Sequence, residues 1–480
     1  MMTRPPQQQA PKKVVAMAIG IILAGLALRC MLFLHLEPFS ARFTQTLLIS
    51  DAANYAKLAE NLAVKDSFST DGKTPQTVWV PGYPIFASLF FKWTSTPVEW
   101  VIMAQILLSM IGPALFYLLT EGLFAPWTRF WISATLVLEP NAIIFSNLFM
   151  SETLFLFFML LFIIFYLRYL HFYKTAELVT AALFLGFASL TRVVAAYLIL
   201  PVSLHLLVCL KSTLNPKKIC FALGGFLLAF SAAVTPWMAR NYQDYGFFGL
   251  SSGAGHNLLK NNIAVIDSIR SRRDKRALRQ AYLSQSQKNL TAQEAQNPFL
   301  VDRAKRAFAL KKIARHPYYY FSGHLEEMRR ILLEPSEFIL FFNNYLRIPV
   351  FNENTIRVMV GGQPRLIRQM WLKPQFALIK GIMGVLLTAA ALLLAAYLPA
   401  NLILRDRRFA CMTFFLILIL YFPLLSSASA PSRFRIPIIA PMVMAVAFAA
   451  GYFRELSGDL RRRALARRSA RGAEDSGTSC

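Results

Sequence analysis

Two carboxylates draw attention by their position. Asp51, in Ser50-Asp51-Ala52-Ala53-Asn54-Tyr55, follows an apolar run and opens a segment with helical periodicity. Glu152, in Asn147-Leu148-Phe149-Met150-Ser151-Glu152-Thr153, begins another apolar run. A carboxylate at such a boundary can take a proton from a hydroxyl or an amine, general-base work worth roughly 10²–10⁴-fold in rate. It can equally be a local structural device. Asp is a favoured helix N-cap, and an acid in a first helical turn is favoured by the helix dipole. Two such acids on different helices but at one end of a bundle could converge on one acceptor or metal.

Four arginines form the complementary set. Arg192 closes Leu190-Thr191-Arg192, and Arg240 lies in Pro236-Trp237-Met238-Ala239-Arg240-Asn241. Arg433 and Arg435 lie in Ser432-Arg433-Phe434-Arg435-Ile436-Pro437. The planar guanidinium suits bidentate phosphate binding; the alternative use is as a lipid headgroup anchor. Val80-Pro81-Gly82-Tyr83-Pro84 reads as a tight turn in which Gly82 can adopt a positive φ. His256, His316 and His324 fall in a long polar segment, and with Asp51 and Glu152 they leave a divalent metal (Mg, Mn or Zn) open, although no H-x-x-x-H spacing supports one. No G-x-x-x-x-G-K-[ST] or G-x-G-x-x-G is present, so nothing supports a nucleotide-using enzyme.

The elements that must position these residues follow from composition. Of 480 residues, 56% are hydrophobic and 16% charged, with 40 Phe; an ordinary soluble domain has about 25% charged residues. This excludes a disordered chain and points to a polytopic, all-α membrane protein, since a spanning helix needs about 20 apolar residues. Spans are expected near 14–36, 97–120, 127–146, 152–170, 175–190, 193–210, 218–238, 376–403, 409–427 and 436–453. Arg29, near the far end of the first run, is expected to snorkel to the interface. That run is longer than a signal-peptide core and reads as a retained helix. Residues 54–64 read as an amphipathic interfacial helix, and Pro84–Trp93 is apolar but too short to span.

The charge is +26. Its basic residues lie between and after apolar runs, which favours anionic lipids over nucleic acid. Short-loop Lys and Arg put both termini in the cytoplasm and 37–96 and 240–375 outside. The latter segment carries 22 Lys and Arg against 10 Asp and Glu, an excess that an anionic lipid or its phosphate would explain. The five cysteines suggest neither a disulfide framework nor a metal site. The chain therefore divides into a membrane module over 1–240 with a first outer loop at 37–96, a basic extracytoplasmic helical insertion over 241–375, C-terminal spans over 376–455, and a basic, partly disordered cytoplasmic tail over 456–480.

The order of motifs resembles the integral-membrane glycosyltransferases of the GT-C class. S-D-A-x-x-Y-x-x-L-A is followed by P-G-Y-P, S-E-T-L, L-T-R, P-W-x-x-R-N and R-F-R-I-P. The nearest resemblance is to the bacterial branch related to protein O-mannosyltransferases and the lipid A aminoarabinose transferase. It implies a GT-C-like bundle of about ten or more spans with interfacial helices, and a polyprenyl-phosphate sugar as donor. It also implies inversion at the sugar carbon, with a lipid, glycan or protein as acceptor. Asp51 matches the catalytic acid and Glu152 a second acidic position; Asp51 is followed by Ala52 where the family often has a second acid. Arg192, Arg240, Arg433 and Arg435 match positions that hold the donor phosphate. Tyr55, Tyr83 and His256 are assigned to positioning substrate or lipid. The expected location is the bacterial inner membrane, with the site facing the periplasm. The rival readings are a lipid-linked sugar flippase, which should show mid-membrane ionisable residues and repeated halves, and an O-antigen polymerase or ligase.

Overall fold

The computed structural model describes residues 11–211, 214–333, 407–425 and 437–448. Arg433, Arg435, the expected span at 376–403 and the tail after 454 lie outside the described residues. Within them the chain is helical, without a β-sheet.

The membrane part opens with α1 (Lys12–His35), followed by the short α2 (Ala41–Leu47), α3 (Asp51–Lys65) and α4 (Gly82–Phe91). Then come α5 (Pro97–Leu119), α6 (Pro126–Leu138), α7 (Pro140–Ser146), α8 (Glu152–Phe172) and α9 (Thr175–Thr191). A 3₁₀ turn (Val193–Leu198) leads into α10 (Ile199–Lys211), and α11 (Pro216–Tyr245) follows. The 23 residues of α5, at about 1.5 Å each, reach roughly 34 Å and so cross the ~30 Å hydrocarbon layer. Five helices among the described residues are long and apolar enough to span: α1, α5, α8, the Val193–Lys211 stretch and α11. These agree with the expected spans to within a few residues at most ends, α11 running further.

Two expectations are corrected. The single span at 127–146 is two helices. Pro140 has no N–H to give, and the residue before a proline is driven out of the α region; Glu139 accordingly sits at φ −62°, ψ 120° and caps α7 through the Ala142 amide. Arg29 does not snorkel. It is fully buried, and its guanidinium donates to the Gly25 carbonyl at 3.1 Å, with the Glu139 carboxylate supplying the opposing charge.

The core lies in two main parts. One surrounds α8, where Phe162, Tyr166, Leu185 of α9 and Phe226 of α11 pack with Phe414 of α18 (Arg407–Leu425). Met442 and Met444, in the helix Pro437–Phe448, join it. The other lies under α3 and α4 and joins Ala59, Tyr83, Ile102 and Phe149. A separate helical unit follows α11. It comprises α12 (Ala254–His256), a π-helical turn (Asn257–Ile263), α13 (Ala264–Ser271), α14 (Lys275–Gln287), α15 (Ala292–Gln296), α16 (Pro298–Arg315) and α17 (Pro317–Leu333). Its centre is Asp267, which accepts hydrogen bonds from Tyr282 at 2.6 Å, Tyr320 at 3.1 Å and Lys312 at 3.4 Å.

Candidate functional site

The amphipathic helix expected at 54–64 begins earlier, at Asp51 itself. Its N-cap is Ser50, whose side chain makes no capping bond, so Asp51 is not the cap that its residue type allowed. Ser50 holds φ 54°, ψ −120°, an unfavourable backbone for a residue with a Cβ, of the kind stored at functional sites at a cost of about 1–3 kcal/mol. Asp51 is half-buried at the head of α3.

One turn along, Tyr55 points the same way. Its Oη lies 3.3 Å from the Ser151 Oγ. Ser151 is the N-cap of α8 but makes no side-chain capping bond, and Glu152 is the first residue of that helix. Arg192, at the C-terminal end of α9, donates through Nη1 to the Glu152 carboxylate and reaches Ser151 Oγ at 3.5 Å. Its guanidinium also lies over Phe155 at 5.9 Å. Burial pushes the Tyr55 phenol up to about 12; the charges of Arg192, Glu152 and Asp51 all act on it as well. Tyr55, Ser151, Glu152 and Arg192 thus form one cluster, drawn from three helices, with Asp51 one turn before Tyr55 at the head of α3.

Tyr83 backs this cluster. Its ring meets Tyr55 edge-on at 5.0 Å and Phe149 at 5.5 Å. Its hydroxyl donates to Gln105 Oε1 at 2.7 Å, and Gln105 Nε2 donates in turn to the Leu148 carbonyl at 2.7 Å. Gly82 does not use a positive φ, contrary to the expectation from its turn. Its role is close approach: the helix start packs directly on the end of α9, beside Arg192.

Arg240 makes its contacts elsewhere. It donates to the Gln76 carbonyl at 2.9 Å, pairs with Asp244 at 3.0 Å, and lies over the Trp237 ring at 4.8 Å. It ties the first loop to the end of α11, alongside Tyr245, which donates to the Pro75 carbonyl, and Thr77, which meets Ser252. His256 belongs to the helical unit, where its backbone N–H donates to Asp302 at 2.9 Å. Burial, reinforced by Lys305 and Lys260, holds its imidazole down at about 4. Among the described residues no set of three His, Cys, Asp or Glu could hold a metal; His324 instead bonds the Leu424 carbonyl at 2.9 Å.

Ser151 and Gln105 were not singled out from the sequence. Gln105 carried a usable signal, an amide inside an apolar run, where a polar group needs a partner. Ser151 carried none beyond its place before Glu152. Chemically, the cluster combines a phenol that keeps its proton with a guanidinium oriented by a buried acid, and the half-buried Asp51 carboxylate stands one turn away.

Residues 74–237 match the family described as dolichyl-phosphate-mannose-protein mannosyltransferase. The stretch includes Tyr83, Ser151, Glu152 and Arg192, and ends before Arg240. The match supports a GT-C-like membrane glycosyltransferase, the class to which the motif order points. Among solved structures, the archaeal oligosaccharyltransferase AglB from Archaeoglobus fulgidus, in complex with an inhibitory peptide and a dolichol-phosphate, is similar over 94% of this chain, at 13% identity and a TM-score of 0.49. The chain spans about half of that structure, 52% of its length. No protein of curated function matches the chain.

Proposed function

We propose, from the premise of a GT-C-like membrane glycosyltransferase, that this chain moves a sugar from a polyprenyl-phosphate donor to a lipid, glycan or protein acceptor at the extracytoplasmic face of a bacterial inner membrane. In this reading both termini are cytoplasmic. The observation that carries it is the contact of Tyr55, one turn from Asp51 on α3, with Ser151, which the Arg192–Glu152 pair also engages.

Asp51 is the general base. Its carboxylate takes the proton of the acceptor hydroxyl or amine as that atom bonds to the anomeric carbon. The carbon–oxygen bond to the lipid phosphate breaks at the same time, and its electron pair leaves with the phosphate. Attack opposite the leaving group inverts the sugar carbon. Arg192, aimed by Glu152, faces the negative charge that grows on the phosphate oxygen, the kind of preorganised electrostatic stabilisation that dominates many enzymes. Arg433 and Arg435, outside the described residues, are assigned to the same phosphate. Arg240 supports the site by fixing the first loop, and Tyr55 and Tyr83 shape the wall against which the acceptor lies.

The test is mass spectrometry of polyprenyl lipids from cells lacking this protein, complemented with wild type or Asp51→Asn. A single polyprenyl-monophosphate sugar should accumulate and be cleared by wild type alone. Accumulation of a diphosphate-linked oligosaccharide would replace this reading with a polymerase or ligase. Normal lipids with a fully active Asp51→Asn would replace it with a transporter.

A further inference from the structure

A second cleft opens on a different face of α3 from Tyr55. It has a volume of about 740 Å³ and lies between α2, α3 and the turn from α4 to α5. That size is within the roughly 300–1,000 Å³ of small-molecule sites. At its wall stands Glu99, in the first turn of α5 and only 4% exposed. Among the described residues no donor or cation reaches its carboxylate. Lys57 and Glu60, one turn apart on α3, flank the opening, and the Thr94 and Thr96 hydroxyls line the turn.

A carboxylate accepts hydrogen bonds and cannot give them. The Glu99 side chain is almost enclosed and its oxygens reach only what enters the cleft, so a ligand that brings donors and positive charge replaces the water they would otherwise hold. The surroundings select the same sign. The chain as a whole is +26, yet the charged groups lining this cleft are two acids and one lysine. A bare metal ion is a poor fit, because no third ligand of the required type joins the two acids among the described residues. A primary ammonium fits: its three N–H groups match a carboxylate and hydroxyl acceptors. Lys57, on the same lining, offers a cation to a phosphate carried by the same ligand.

We infer that this cleft binds a primary ammonium group presented at the membrane surface, with Glu99 as its anchor. The inference rests on the cleft alone and stands whether or not Asp51 is a catalytic base. The ammonium has two sources of the same chemistry, an ethanolamine phospholipid headgroup and an amine-bearing acceptor.

The test uses the full chain in nanodiscs that contain equal parts ethanolamine and choline phospholipid, which share a phosphate but differ in N–H donors. Native mass spectrometry reads which lipid is retained. About tenfold preference for the ethanolamine lipid is expected, the effect of one charge-assisted bond. The preference should vanish in Glu99→Gln and weaken in Lys57→Ala, an exposed change that spares the fold. Equal retention of both lipids by wild type, or unaltered preference in both variants, overturns the inference. Free glucosamine that displaces the lipid where glucose does not assigns the cleft to an acceptor amine. A lipid that resists both sugars assigns it to the headgroup.

Discussion

Gly82 and Leu190 approach so closely that a Cβ on the glycine would stand 2.7 Å from the leucine carbonyl oxygen. The same atom would lie 2.9 Å from the Thr191 hydroxyl. The start of α4 and the end of α9 are therefore in backbone contact, and Arg192 is the next residue along. Two motifs that lie more than a hundred residues apart in the sequence fix one another.

Gly82→Ala should separate them. Neither partner is the tip of a flexible side chain, so the helices must shift, at a cost of roughly 1–3 kcal/mol. Thermal unfolding of the detergent-solubilised protein should show a lower midpoint, and Tyr83 fluorescence should report a changed environment. An unchanged midpoint would mean that the two helices are not in contact.

Glu152→Gln should be more damaging than its size suggests. The Glu152 side chain is 3% exposed and that of Arg192 17%, so the substitution takes a buried anion away from a largely enclosed cation. Removing one partner of a buried pair costs roughly 3–5 kcal/mol. Adding Arg192→Gln to Glu152→Gln should recover part of the stability while transfer stays lost. Strictly additive losses in that double-mutant cycle would rule out the coupling.

Arg240→Ala should release the first loop rather than abolish folding. With its bond to Gln76 and its pairing with Asp244 gone, residues near Lys73 lose their tether to α11. Limited trypsin digestion should cut after Lys73 several-fold faster than in wild type. Equal cleavage rates would show that the Tyr245 and Thr77 contacts hold the loop unaided.

The helical unit should be acid-sensitive in a defined window. His256 is held down at about 4 by burial and by its lysine neighbours, against about 6.5 in an unfolded chain. As pH falls from 6.5 to 4 the unfolded chain takes up a proton that the folded one refuses, so stability is lost across that interval. His256→Gln should flatten this part of the stability–pH curve between pH 7 and pH 4. A curve parallel to wild type would show that His256 titrates as freely when folded.

Much of this architecture was legible in the sequence, and the exceptions have physical causes. Span positions followed from apolar run length, because the bilayer sets a length that a sequence can be measured against. The meeting of the first turns of α3 and α8, which Asp51 and Glu152 open, followed from counting helices and asking which ends coincide. The divided span was visible in Pro140, but its length made one helix look sufficient. Arg29 was misjudged because its burial depends on Glu139, 110 positions away, and no local pattern announces a partner at that distance. Arg240 was grouped with Arg192 by residue type and expected face. The Gln76 carbonyl that engages it is a backbone group, and its availability is not written in any side chain. Gly82 was read for its dihedral freedom, when what mattered was its missing Cβ.

Gln105 joins the Tyr83 hydroxyl to the Leu148 carbonyl, and so locks α4, α5 and the approach to α8 into a single panel. Around Tyr55 the site then has one side built of interlocked polar groups and one side held by apolar packing. Tyr55 meets the polar side through a 3.3 Å hydroxyl contact with Ser151, and α3 hangs from the uncapped, strained Ser50. Asp51 thus follows a strained backbone bend, while the helix behind it is pinned to the core under α4 through Ala52, Ala56 and Ala59.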